Sequence, residues 1–490
     1  MRSKFILPAC FALLTGLCTC APPPSSTAPT APAAYGALPT EAQLEWQEME
    51  MNAFIHFTTN TFTDLEWGYG DEDPALFDPT DLDVDQWMET LKEAGFKGVI
   101  LTAKHHDGFV LWPSAYTDHS VAASPWKEGK GDLVGMVEEA ARRHDLKFGI
   151  YLSPWDRNRA DYGDSTYITY YRAQVRELFE NYGPIFEMWL DGANGGDGYY
   201  GSARETRSID GEHYYDWPTT VDMVRELQPD PATIIFSDAG PDIRWVGNER
   251  GVVGDPNWNT IDTDTLYAGK PGIGELLGHG TPGADTWLPA EVDVSIRPGW
   301  FYHAREDSLV KSPQELFDIY LTSVGRGSPL LLNVPPDRRG LIHETDVAAL
   351  RGWRSMIDSV FADDLTAGAT ISADHYRGQH EDYAPQLLLD DDPQTYWATD
   401  DGTTTGRLTI TLPETREINY LLLQEPIRLG QRVADFRVLA RVDGELREIG
   451  RGNTVGYKRI LPLEAVTTDE VVVEITDALA PPLLSRLSLY

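Results

Sequence analysis

Apolar runs that alternate with amphipathic helices constrain the fold of this chain more than any other feature. The runs are short enough for buried strands, and the segments between them carry apolar residues at helical spacing. Val84, Trp87 and Leu91, for example, share one face of a helix. The runs are AFIHFT from Ala53, GVILTAKHH from Gly98, KFGIYLSP from Lys147, IFEMWLDG from Ile185, TIIFSD from Thr233 and PLLLNVPP from Pro329.

This alternation predicts parallel βα units between about residues 50 and 340. At least six such units favour a closed (β/α) barrel over an open doubly wound sheet. A dinucleotide-binding sheet would also carry G-x-G-x-x-G after its first strand, and the sequence has no such motif there. Ser312-Pro313-Gln314-Glu315 adds the capping box of a late helix. We therefore expect an α/β chain with a TIM-like barrel over residues 41–362.

The pattern changes near residue 365. GRLTITL and FRVLARV alternate apolar and polar residues, and no helical period intervenes. Residues 363–490 are therefore predicted to form an antiparallel β-sandwich. LDDDPQTYWAT, from Leu389, resembles the start of discoidin-like sugar-binding modules. Trp397 in this segment is interpreted as scaffold, and sugar binding by the module is left open.

The first forty residues have the pattern of an export signal and a tether. Arg2 and Lys4 precede an apolar stretch too short to span a membrane, which predicts a signal peptide over residues 1–20. LCTC at its end resembles a bacterial lipoprotein box, which implies lipidation of Cys20. Ala21 stands where inner-membrane lipoproteins often carry Asp, which favours an outer-membrane lipoprotein facing the periplasm or the surface. A plain cleaved signal is the alternative. Residues 21–40, rich in Pro, Ala, Ser and Thr, are predicted to form an extended linker.

Charge and cysteine content exclude several classes of function. The chain has 77 acidic and 40 basic residues, a formal charge of −37, which repels nucleic acid and anionic lipid. Membrane contact is therefore expected only through the N-terminal anchor. All three cysteines lie within the first twenty residues, so the mature domains have neither disulfides nor a catalytic thiol.

Polar side chains gather where the apolar runs end. His56, His105, His106, Tyr151 and Asp191 all lie in or directly after such runs. The carboxyl ends of the strands in a (β/α) barrel surround one pocket. These residues are therefore predicted to converge on a catalytic site.

Carboxylate chemistry suits this site better than metal or serine chemistry. Neighbouring residues of an extended strand point to opposite faces, so His105 and His106 suit a shared metal poorly, and no cofactor is expected. A G-x-S-x-G elbow is also missing. Glycoside hydrolysis uses two carboxyl groups, and Asp191 suits the ionised one because nearby glycines leave room for a sugar ring. Spacing alone leaves the second carboxyl open.

FIHF, TFTDLEWGYGD, AKHHDGF, IYLSPWDRN, MWLDGANG and WVGNERG together resemble glycoside hydrolase family 29, the α-L-fucosidases, over roughly residues 45–360. The resemblance implies a retaining mechanism with Asp191 as nucleophile and Glu249 as general acid/base. Such a mechanism needs the two carboxyl groups about 5 to 5.5 Å apart and a raised pKa at Glu249. The resemblance also implies that the fucose is held by His56, Glu66, His105, His106 and Tyr151, with Trp189 and Trp300 on its apolar side.

GNERG, TFTDLEWG and PAEVDVSIRPGWFYH look more like the subgroup selective for α-1,3- and α-1,4-linked fucose. That likeness implies branched, Lewis-type oligosaccharides or glycoconjugates as substrates, with Glu291 and Asp293 facing the aglycone sugars. The first alternative is a broad α-L-fucosidase that also accepts α-1,2 linkages. The second is a lipoprotein that binds fucosylated glycans without cleaving them.

Overall fold

The computed structural model describes residues 29–490, so the predicted signal peptide and Cys20 lie outside the described residues. Eight parallel strands close into a barrel in which each strand pairs with the next and the last pairs with the first. The predicted TIM-like barrel is thereby confirmed. The strands are β1 (Met51–Ile55), β2 (Gly98–Lys104), β3 (Lys147–Leu152), β4 (Glu187–Trp189), β5 (Ile234–Ser237), β6 (Ile243–Trp245), β7 (Ala290–Ser295) and β8 (Leu330–Asn333).

Helices cover the outside of the barrel. Ala53 and Ile55 of β1 pack with them, whereas Phe54 between these residues belongs to a separate buried cluster with Tyr151 and Trp189. This alternation is that of a strand with one face to the helices and the other to the barrel interior. The helices are α1 (Glu41–Met49), α2 (Thr59–Thr63), α3 (Val84–Ala94), α4 (Leu133–Arg143), α5 (Ser165–Asn181), α6 (Trp217–Leu227), α7 (Gly274–His279), α8 (Pro313–Thr322) and α9 (Glu344–Val360).

Local signals in the sequence set several helix ends. The side chain of Asp83 accepts hydrogen bonds from two backbone N–H groups at the start of α3, and Gly95 ends that helix in the left-handed conformation, with φ of 96°. The capping box predicted at Ser312 and Glu315 forms at the start of α8. None of the helices in residues 29–490 is long and apolar enough to cross a bilayer.

Strands β6 and β7 were not predicted from the sequence. β6 has three residues and follows β5 after a turn, so no helical segment marks it as a separate unit. β7 carries Glu291 and Asp293 on one face and therefore lacks the apolar run of a buried strand. Both strands are buried nevertheless, because tertiary pairing outweighs composition in short strands.

The C-terminal domain is antiparallel, as predicted. The strands of its main sheet are β9 (Thr370–Ala373), β10 (Gly406–Gln424), β11 (Val433–Val442), β12 (Glu445–Gly452), β13 (Arg459–Ala478) and β14 (Arg486–Leu489). They have the order β9-β10-β13-β11-β12, with β14 on β10, and Trp397 lies in the core of the domain as scaffold. Trp397–Ala398 and Leu483–Leu484 form a second, two-stranded sheet.

The part of the predicted linker that the structure describes lies against this domain. Arg377 Nε donates to the carbonyl of Thr30 at 2.7 Å, Arg432 Nη2 donates to that of Ala33 at 2.6 Å, and Tyr35 N–H donates to the carbonyl of Leu429 at 3.0 Å. Residues 30–35 are therefore held on the C-terminal domain. Two buried guanidinium groups account for this contact, because each needs acceptors and backbone carbonyls supply them.

Candidate active site

Asp191 stands at the mouth of the barrel, two residues beyond the end of β4. Tyr151 OH donates to Asp191 Oδ2 at 2.8 Å, and Ala193 N–H donates to Asp191 Oδ1 at 2.7 Å. Its side chain keeps 23% of its area exposed. The carboxylate is thus oriented through both oxygens and still open to a ligand.

The glycine after Asp191 serves protein packing rather than sugar access. A Cβ at Gly192 would overlap the carboxylate of Asp238, whose Oδ2 accepts the N–H of Gly269 at 2.8 Å. Burial raises the pKa of Asp238 to about 6, and the charge of Asp191 adds to the shift. The expectation that this glycine leaves room for a sugar ring is therefore wrong at Gly192.

Three histidines line the pocket beside Asp191. The ring of His105 lies 4.1 Å from that of His106 and 5.5 Å from that of His56, measured between centroids. The sequence argument that His105 and His106 point to opposite faces is wrong, because β2 ends at Lys104 and the chain turns there. His106 Nε2 lies 3.7 Å from Asp191 Oδ2.

These histidines are neutral at neutral pH. Burial lowers the pKa of His56 to about 3 and that of His106 to about 4, and it lowers the pKa of His105 well below its ordinary value. Asn333 Oδ1 contacts His56 Nδ1 at 2.8 Å, and Ser153 Oγ contacts His106 Nδ1 at 2.7 Å. A neutral imidazole has one donor and one acceptor, which matches a sugar hydroxyl.

Glu249 lies in the loop after β6, on the rim of the pocket. Trp300 Nε1 donates to Glu249 Oε2 at 3.3 Å. Partial burial of the carboxyl group raises the pKa of Glu249, and the nearby charges of Asp191 and Glu66 raise it further. Glu249 therefore holds its proton more readily than an isolated glutamate.

Glu66, in the loop after α2, faces the same rim. Its Oε2 accepts the backbone N–H of Trp300 at 2.8 Å, and its Oε1 lies 2.6 Å from His303 Nε2. The side chain keeps 37% of its area exposed. Trp300 thus contacts both rim acids, Glu66 through its backbone and Glu249 through its indole.

Comparison with known proteins places this chain in a family. A model of the α-L-fucosidase family matches residues 32–355. The chain belongs to the α-L-fucosidase family. It is a glycoside hydrolase, and the alternative of a lipoprotein that only binds glycans is not favoured.

Similar sequences and structures extend over nearly the whole chain. A putative α-L-fucosidase 1 of Oryza sativa subsp. japonica is 42% identical over 97% of this chain and 88% of its own length. The structure of a putative α-L-fucosidase from Bacteroides thetaiotaomicron matches with a TM-score of 0.86 at 41% identity, covering 94% of this chain and 99% of that one. A Ruminococcus gnavus glycoside hydrolase 29 fucosidase in complex with fucose matches with a TM-score of 0.84 at 30% identity, covering 95% and 97%.

Aromatic rings form one wall of this fucosidase pocket. The ring of Trp300 lies 5.3 Å from that of His56 and 6.2 Å from that of Phe54. Trp189 lies deeper, stacked on Phe236 at 3.9 Å, and its ring is 5.4 Å from that of Tyr151. Trp300 is therefore partly exposed at the barrel mouth, whereas Trp189 is buried and packs against Tyr151.

The expectation that Glu291 and Asp293 face aglycone sugars is wrong. Glu291 is fully buried in the barrel, where its Oε2 accepts the indole N–H of Trp189 at 3.0 Å. Asp293, two residues further along β7, is also buried and accepts the indole N–H of Trp245 at 2.8 Å. Alternate residues of a barrel strand share one face, and on β7 that face is the interior.

The structure adds two residues that were not predicted. Trp67 is 52% exposed, and its ring meets that of His106 edge to face at 5.2 Å. Asn333 orients His56 and also donates from Nδ2 to the carbonyl of Trp300 at 2.8 Å. Asn333 ends an apolar run, which is the signal that identified Asp191, and Trp67 directly follows Glu66.

Proposed function

We propose that this enzyme is a retaining α-L-fucosidase that removes terminal α-1,3- and α-1,4-linked L-fucose from branched, Lewis-type glycans. The observation that carries the proposal is the geometry at Asp191, whose two oxygens accept bonds from Tyr151 and Ala193 at the centre of the barrel mouth. Hydrogen bonds to a carboxylate stabilise its charged form. Asp191 is the proposed nucleophile.

Glu249 is the proposed general acid and base. In the first step an Asp191 oxygen bonds to the anomeric carbon, the glycosidic C–O bond breaks, and the Glu249 proton passes to the leaving oxygen. In the second step Glu249 takes a proton from water, the water oxygen bonds to the anomeric carbon, and the bond to Asp191 breaks. The proposal requires the two carboxyl groups to lie about 5 to 5.5 Å apart.

The sugar-binding role of the other rim residues is also a proposal. His56, His105, His106 and Tyr151 offer hydroxyl partners, and Glu66 offers an acceptor. His105 Nδ1 is buried and finds no hydrogen-bond partner among residues 29–490, so the polar capacity of this ring is not fully used within the protein. The apolar wall that includes Trp300 suits the methyl group of fucose.

The linkage preference rests on GNERG, TFTDLEWG and PGWFYH, which contribute Glu249, Glu66 and Trp300 to one rim. Release of fucose from Lewis x trisaccharide, 2′-fucosyllactose and an aryl fucoside should be measured side by side. We expect efficient release from the first and weak release from the other two. Strong turnover of both 2′-fucosyllactose and the aryl fucoside would support the broad enzyme instead.

The proposal includes export and an N-terminal lipid anchor at Cys20, in the bacterial outer membrane. Its support is the sequence of residues 1–20. Fractionation of cells that express the full chain should place the wild-type protein with membranes and the Cys20→Ala variant elsewhere. Equal distribution of the two proteins would contradict lipidation at this position.

A further inference from the structure

His303 contacts both Glu66, on the rim of the pocket, and Asp64, which lies outside the pocket. It follows Trp300 in the loop after β7, and it is 1% exposed. Its Nε2 lies 2.6 Å from Glu66 Oε1, and its Nδ1 lies 2.7 Å from Asp64 Oδ1. Both ring nitrogens are therefore engaged by carboxylate oxygens.

The chemistry of these contacts determines their direction. An ionised carboxylate only accepts hydrogen bonds, so Nδ1 of His303 donates to the ionised Asp64. The bond from His303 is the main cause that lowers the pKa of Asp64, with the charges of Arg305 and Arg338 adding to it. Asp64 is thus the ionised anchor that keeps the buried ring in one orientation.

Glu66 gains a single orientation from this arrangement. A glutamate side chain has three rotatable bonds, and a free one on a rim would sample many rotamers. Here Oε1 is bound by His303 and, at 3.4 Å, by the N–H of Phe301, and Oε2 is bound by the N–H of Trp300. Oε2 still has a further lone pair for a ligand hydroxyl.

We propose that His303 is a positioning residue that holds the Glu66 carboxylate in the orientation needed to bind the sugar, with Asp64 as the anchor of its ring. This inference rests on the proposed function, in which Glu66 contacts fucose. His303 itself is covered by Glu66 and needs no contact with the substrate.

Two substitutions distinguish the contact of His303 with Glu66 from its contact with Asp64. In His303→Gln the amide nitrogen can occupy the position of Nε2 and donate to Glu66. In His303→Asn the amide nitrogen can occupy the position of Nδ1 and donate to Asp64, which leaves Glu66 without this bond. Both variants remove the ring, so a purely structural role predicts similar losses from both.

The variants should be compared in kcat/KM with Lewis x trisaccharide and in the Kd of L-fucose measured by calorimetry. We expect His303→Asn to lower kcat/KM by about 10- to 100-fold and to weaken fucose binding, as loss of a hydrogen bond to a charged group does. The loss in kcat/KM should be at least fivefold smaller in His303→Gln than in His303→Asn. His213→Asn is the control, because it makes the same substitution at an exposed histidine that is distant in sequence from His303.

Equal impairment of His303→Gln and His303→Asn, or wild-type values for both, would overturn the positioning role. Glu66→Ala tests the underlying proposal separately. Undiminished activity and fucose binding in Glu66→Ala would refute the sugar contact of Glu66, whereas a loss in that variant with intact His303 variants would refute only the role of His303. Thermal unfolding of each variant shows whether the fold is retained.

Discussion

The hydroxyl of Tyr151 donates a 2.8 Å hydrogen bond to Asp191 Oδ2 and so links the ends of two neighbouring barrel strands. Burial and the adjacent negative charge of Asp191 raise the pKa of Tyr151 well above its ordinary value, so the phenol stays protonated and donates throughout the working pH range. One hydroxyl group therefore orients Asp191 Oδ2, while the N–H of Ala193 orients Oδ1.

Removal of that hydroxyl should slow the reaction. Tyr151→Phe leaves Asp191 Oδ2 without its donor, and hydrogen bonds to charged groups contribute about 1.5–3 kcal/mol. We expect kcat/KM to fall by about 10- to 100-fold. Tyr182→Phe is a matched control, because Tyr182 OH also donates to an aspartate, Asp132 at 2.9 Å, which caps α4 outside the pocket. Equal activity in the two variants would contradict the role of Tyr151.

Asp191→Ala should abolish turnover without unfolding the protein. Loss of a nucleophile lowers kcat by on the order of 10³-fold or more. Circular dichroism and thermal unfolding report the fold, and release of an aryl group reports the chemistry. Asp197→Ala, six residues further along, removes an exposed carboxylate and should keep full activity. Turnover by Asp191→Ala near the wild-type rate would remove the central claim.

Glu249 should set the alkaline limit of activity. The acid must carry its proton, so kcat/KM falls as the pH rises through its pKa, and a raised pKa extends activity toward higher pH. In Glu249→Gln this limb should disappear, and hydrolysis of a natural glycan should fall by about 10²- to 10⁴-fold. The first step of Glu249→Gln should be faster with a substrate that has a good leaving group than with a natural glycan, because such a leaving group needs little protonation. An unchanged alkaline limb would contradict this assignment.

A buried acid pair should make the stability depend on pH. Burial raises the pKa of Glu187 to about 8 and that of Glu291 well above its ordinary value, whereas an unfolded glutamate titrates near 4.5. The folded state therefore keeps protons that the unfolded chain releases, and the free energy of unfolding falls as the pH rises from about 4.5 to 8.

Glu187→Gln should flatten that slope, by up to about 1.4 kcal/mol per pH unit for one proton. Urea unfolding at several pH values measures the slope. Glu414→Gln, at an exposed acid of the C-terminal domain, should leave it unchanged. The same slope in Glu187→Gln and the wild type would show that the pair does not titrate in this way.

The barrel and the position of Asp191 could be predicted because apolar runs report buried strands and polar residues at their ends report the mouth. β7 could not, because Glu291 and Asp293 are acids whose burial depends on indole partners from other strands. Glu249 is one acid among many in the loops, and only the family resemblance singled it out. His303 gave no signal, because its contacts join residues more than 230 positions apart.

The hydrogen bonds from Arg377 and Arg432 to residues 30–35 have a mechanical consequence. A pulling force that reaches the chain from its N-terminal side meets these two guanidinium groups before it meets α1. Part of the load then passes to the C-terminal domain before it reaches the strands that hold Asp191 and Tyr151. In an enzyme tethered through its N-terminal segment, these hydrogen bonds would relieve the catalytic barrel of part of the tension.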